Sequence, residues 1–239
     1  MTPQPVAFEQ VLRSLLFTLL RTVAWVVSIL LVLGTGAWFL ARAIPLGATF
    51  SLWFHVFPQA LGWVLFGMAI YFTTECLSAY VAMGVSRARF VRAAALALGA
   101  TSLGLGVLAL LTFQVEAWLY GIAGWEHAVS LTRSIAANGW LVGVYTVLLT
   151  LTLGMSGLLV GWSYVRFPPL PATSLLVITV LVPGWLIIGL LQDPDVLSPL
   201  GLGSWHVAVR VLAALALNGL MFLAAAGLVP ALQLRSRVP

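Results

Sequence analysis

The feature that most constrains this chain is the spacing of its few charges. Six stretches, 23–40, 56–74, 93–113, 135–160, 172–191 and 207–228, each run for about 20 residues with no charged side chain near the middle. A hydrocarbon core about 30 Å thick needs that much apolar helix to cross it. A backbone in lipid must also satisfy its own hydrogen bonds, which a helix does within one segment. The pattern predicts an all-α polytopic membrane protein of about six transmembrane helices. Only 7% of the 239 residues are charged and 62% are hydrophobic, where a soluble domain carries about 25% charged residues. The apolar content is spread along the whole chain, so 1–239 reads as a single transmembrane domain.

Charge type narrows the chemistry. All eleven basic residues are Arg. A P-loop needs a Lys on its phosphates and a Schiff base needs a Lys amine, so the chain reads as neither a standard nucleotide-binding subunit nor a Lys-dependent enzyme. The Arg residues lie scattered between apolar runs and the net charge is only +5, which argues against nucleic acid as a partner. Cys76 is the only cysteine, leaving no internal disulfide and no Cys-based metal site. His55, His127 and His206 fall near one face and read as solvated interfacial residues. The expectation is a protein with no catalytic residues, no metal and no cofactor of its own.

Orientation follows from where Arg collects, because basic residues favour the cytoplasmic side. Arg13, Arg21, Arg87, Arg89, Arg92, Arg166, Arg235 and Arg237 fall on one side, and Arg42, Arg133 and Arg210 on the other. Six spans then place both termini in the cytoplasm. Trp38, Trp53, Trp118, Trp125, Trp140 and Trp205 gather near the outer edge and Trp162 near the inner one, as amphipathic rings do at headgroup level. Ala41-Arg42-Ala43 has the small-x-small form of a signal cleavage site, but the apolar run before it is too long for a signal peptide, so a retained anchor is expected. Ahead of that anchor, Phe8, Val11, Leu12, Leu15 and Leu19 recur at helical spacing. They predict an amphipathic elbow helix over 1–21, lying on the inner membrane surface and turning into the first span. A plain extension of that span is the alternative.

Two segments carry candidate mechanism. In the cytoplasmic stretch 75–92, residues 77–83 read as one or two helical turns. Gly84 suits the position just past a helix end, and Ser86 suits the cap of the next helix, which opens on Arg87, Arg89 and Arg92. The stretch is either a docking element for a cytoplasmic partner or an ordinary positive-inside loop. Along the fourth span, Gly139 and Gly143, then Gly157 and Gly161, lie four apart. Small residues at that spacing let helices approach closely, either at a dimer seam or within one subunit. Thr146, Thr150, Thr152, Ser156 and Asn218 are the polar groups at depth, and Pro183-Gly184 predicts a kink in the fifth span.

Gly84-Val85-Ser86-Arg87-Ala88-Arg89-Phe90 resembles the Gly-Val-Ser/Thr-Arg-x-x-Phe segment of small bacterial ABC-2-type (type V) ABC transporter permeases. Gly157-Leu158-Leu159-Val160-Gly161-Trp162-Ser163-Tyr164-Val165-Arg166-Phe167 is similar to the Gly-rich turn and Tyr/Phe-x-Arg exit of their fourth helix. The six-span layout and the amphipathic entry are similar too, so the resemblance covers nearly the whole chain. It implies a permease subunit in the bacterial cytoplasmic membrane, paired as a homodimer or heterodimer, with ATP and Mg bound by a separate cytoplasmic ATPase. Tyr80, Met83, Gly84, Val85, Ser86, Arg87 and Arg89 would form the coupling element against that ATPase. The resemblance implies export, and an apolar path suits an amphipathic or hydrophobic cargo. One departure is the short stretch 192–206 with Pro194 and Pro199, which has little room for the re-entrant outer helices of larger members. A non-transport membrane protein, such as an assembly factor or a sensor's membrane domain, is the alternative. A secondary transporter fits less well, since such proteins place ionisable groups at depth.

Overall fold

The computed structural model describes residues 7–43, 52–124, 139–166, 173, 177–188 and 206–235. Among them every regular element is helical. Helix α1 spans Phe8–Ala43, α2 Leu52–Tyr71, α3 Leu77–Ala82, α4 Arg87–Ala123, α5 Trp140–Arg166, α6 Val182–Ile187 and α7 Val207–Arg235. One π turn, Phe72–Cys76, joins α2 to α3, and a second, Val177–Leu181, leads into α6. Five helices are long and apolar enough to cross a membrane, which makes this a multi-pass membrane protein. Of the expected fifth span, 172–191, the described part is residue 173 and residues 177–188, which hold the shorter apolar helix Ile178–Ile187.

Helix α5 is the centre of the bundle. Of its most apolar stretch, 83% is buried, against 17% for α1 and 22% for α7. It packs on α2, α4 and α7. Its glycines set the geometry. A methyl group built on Gly157 would strike the Phe66 carbonyl and lie 2.8 Å from the Ala69 Cβ, and one on Gly161 would strike Thr73. Tyr145 accepts from Gln59 Nε2 at 3.5 Å. Residue numbers rise together along these pairs, so α2 and α5 run parallel. On α4 the order reverses: Gly139 meets Gln114, Gly143 lies against Gly106 and Gly154 against Leu98. The start of α4, the end of α5 and the turn after α3 therefore share one end of the bundle. That end holds Arg87, Arg89, Arg92 and Arg166.

Helix α1 departs from the expected elbow. It is one helix from Phe8 to Ala43, with no turn near residue 21. Between Phe8 and Leu33 there is neither Gly nor Pro to break it. Val11, Leu15, Leu19, Val23 and Val27 form a buried stripe that continues from the first turns into the span, and α1 packs chiefly against α4. The apolar face read as lying on lipid is thus covered by the chain itself. Thr18, Thr22, Ser28 and Thr35 sit elsewhere on α1, each donating its hydroxyl to the carbonyl four residues back. That satisfies the hydroxyl without a partner helix.

Residues 116–123 are the last turns of α4, which ends where Gly124 adopts φ +68° and its N–H bonds back to Gly121 and Tyr120. Residues 125–138, and the stretch 192–205 with its two prolines, lie outside the described residues.

Candidate functional site

The described end of the bundle that gathers Arg is built around a stiff corner. Helix α3 ends in two interlocked turn bonds: the Gly84 N–H donates to Val81 O and the Val85 N–H to Tyr80 O, both at 3.0 Å. Gly84 sits at φ +85°, where a Cβ would clash with its own backbone and glycine does not. Val85 is 3% exposed, and the Tyr80 and Phe90 rings lie 5.4 Å apart. These contacts fix the direction in which the chain leaves. Ser86 is extended, and its hydroxyl accepts from the Arg89 N–H at 3.4 Å, capping α4.

Seven residues were expected to form a docking element, and the corner divides them by task. Val85 is buried and Tyr80 half-buried, so these two hold the turn. Met83, Gly84, Ser86, Arg87 and Arg89 are exposed, with Val81 beside them. The outcome is a knob with an apolar tip and a cationic flank. The one or two helical turns expected at 77–83 are α3, Leu77–Ala82. Helix α3 continues from α2 through the π turn, so only Met83 to Ser86 are non-helical.

The polar groups at depth point into the protein. Thr146, Thr150, Thr152 and Ser156 are fully buried, and each hydroxyl donates to the carbonyl four residues back. Two also reach neighbours. The Thr152 hydroxyl lies 3.1 Å from Asn218 Oδ1 on α7, while Asn218 Nδ2 donates to Ala214 O at 3.0 Å. The Ser156 hydroxyl has one proton and two acceptors in reach, the Thr152 carbonyl on its own helix and the Thr179 carbonyl across from it. Pro183 has no N–H to give to the carbonyl four residues back, which is that of Thr179. A hydroxyl from α5 reaches that acceptor, where the π turn Val177–Leu181 runs into α6. Gly139, Gly143, Gly157 and Gly161 all lie against α4 or α2 of the same chain.

Sequence reasoning did not foresee the burial of three residues. Glu116 and Arg210 are buried, at 5% and 6% exposure. The burial of Glu116 carries no sequence signal, because the apolar run ends at residue 113 while α4 continues to Ala123. Trp162 is 4% exposed, so its ring packs inside the bundle, and its indole N–H has no partner among the described residues. Among the described residues, no three His, Cys, Asp or Glu side chains are grouped to hold a metal. The chain matches no protein-family model, no curated protein and no solved structure.

Proposed function

We propose that this chain is the permease subunit of an ATP-driven transporter of the ABC-2 kind, with ATP hydrolysed on a separate cytoplasmic subunit. The observation that supports the reading is the corner. A docking element must keep its shape under load, and this one is fixed by two turn bonds, a cap and a ring contact while presenting Met83, Arg87 and Arg89 to solvent. In this reading residue range 172–191 completes a sixth span, both termini lie in the cytoplasm of a bacterial cell, and a second permease subunit completes the path. Burial of the α5 hydroxyls inside the chain favours a path along the outer face of the bundle, between subunits. An amphipathic or hydrophobic exported cargo fits that apolar face.

Affinity capture from solubilised membranes tests the proposal. The tagged chain should bring down an ATPase with a P-loop, and Arg87→Glu with Arg89→Glu should release it while the permease still runs as a single folded species. Absence of an ATPase from the wild-type capture, or equal capture by the double variant, would sink the assignment.

A second reading, ion-coupled transport, draws on buried Glu116 and Arg210, since ionisable groups inside spans commonly serve ions or protons. It expects flux that follows an ion gradient without ATP and that fails in Glu116→Gln.

A further inference from the structure

Helices α2 and α3 would be one helix but for the π turn Phe72–Cys76, where the Leu77 N–H bonds to Phe72 O, five residues back. A π turn carries one residue more than an α-turn, and its hydrogen bonding is correspondingly wider. The carbonyls at its mouth are served by side chains. Ile70 O accepts from the Thr73 hydroxyl at 2.8 Å and the Thr74 hydroxyl at 3.0 Å, and Thr73 also lies 3.1 Å from Ala69 O.

The bodies on either side are firm. Helix α2 is locked on α5 where Gly157 and Gly161 leave no room for a side chain. The corner beyond α3 is fixed to the start of α4, and α4 packs along α5 in the opposite direction. Both bodies therefore lean on the same central helix and are joined by the π turn. Thr73, inside that element, is the residue that faces Gly161.

We propose that the π turn is a sliding joint. The extra residue can pass along the helix, letting the corner move against α2 by about one residue's rise, 1.5 Å, with the displacement felt by α5 at Thr73 and Gly161. An extra residue accommodated as a bulge leaves the flanking helix faces in register, so removing one residue from the turn should straighten the helix without turning α3 to a new face. The joint does not depend on which partner docks at the corner, and its test involves none.

Amide hydrogen exchange on the full chain in phosphatidylcholine nanodiscs reads it directly. Amides 73–77 should exchange at least tenfold faster than amides 64–70 of α2 and 93–104 of α4. Deleting Thr74 should bring 73–77 down to the rate of their neighbours. Thr73→Val with Thr74→Val keeps the chain length but removes both hydroxyls, and should speed exchange at 73–77 further, by about tenfold for a net hydrogen-bond loss of this kind. Slow exchange at 73–77 in the wild type overturns the joint, as does an unchanged rate in the deletion. Should the deletion variant fail to fold, an unchanged rate in the double valine variant overturns it equally.

Discussion

Gly157 has no space for a methyl group, whereas Gly99 and Gly104 on α4 have nothing within 4 Å of where one would go. That contrast is the sharpest statement available at the scale of one residue. Gly157→Ala pushes a Cβ into the Phe66 carbonyl and should lower stability by about 1–3 kcal/mol, the usual range for overpacking. Gly99→Ala should be neutral or stabilising by up to about 1 kcal/mol, because it only removes backbone freedom in a helix. Reversible unfolding in mixed micelles would show both, and equal effects would mean that α2 and α5 do not meet there. Ser156 offers a second case. Ser156→Ala should cost about 1–3 kcal/mol by removing a donor from a part-buried carbonyl. Pro183→Ala, which supplies an N–H four residues after Thr179, should recover part of that loss when combined with it. Additive effects in the four-protein cycle would count against the link.

Among the elements, the outcomes divide by the range of the signal. The corner was legible because its determinants are local: a glycine able to take positive φ, a serine after it, and a run that starts on Arg. The π turn was not legible, since no residue type in Phe72–Cys76 is diagnostic of a wide turn. Helix α1 shows a different limit. Phe8, Val11, Leu15 and Leu19 announced an apolar face, but a face covered by lipid and one covered by α4 have the same composition. Mutation separates them. Leu15→Ala should cost about 2–5 kcal/mol if the side chain is packed in protein, as large-to-small changes in a core do, and far less if it rests on lipid. A loss below about 1 kcal/mol, less than half the lower end of that range, would restore the surface elbow. Burial of Glu116 shows a related limit: apolar length marks where a helix can cross, not where it stops.

For the molecule as a whole, the class was legible and the connectivity only partly so. Charge depletion alone made an all-helical membrane protein the expected class, and the five long helices carry it. What composition could not reveal is that one helix holds the rest, because every span is similarly apolar and only close approach distinguishes α5. The span count also fixes which side each loop faces. With six spans, a cysteine placed at Met83 and one placed at His206, each in a Cys76→Ser background, lie on opposite sides of the membrane. A membrane-impermeant maleimide added to intact cells should label the His206→Cys protein and leave Met83→Cys unlabelled until the cells are opened. Labelling of both, or of neither, would mean that residues 172–191 do not cross.

The central place of α5 has a consequence for how the protein is made. Helices enter the membrane in the order of synthesis, and α2 emerges some 90 residues ahead of α5, judging from Leu52 and Trp140 at their starts. Until then the face of α2 and the π turn around Phe66, Ala69 and Thr73 has no glycine surface to meet, and the face of α4 around Gly106 has none either. A nascent chain halted before Trp140 therefore presents two unfinished seams to the lipid and to the quality-control proteases within it. One halted just beyond Arg166 has already closed both. The interval between these two points is when the polypeptide is most open to degradation, and a chaperone that holds α2 and α4 near each other would act there.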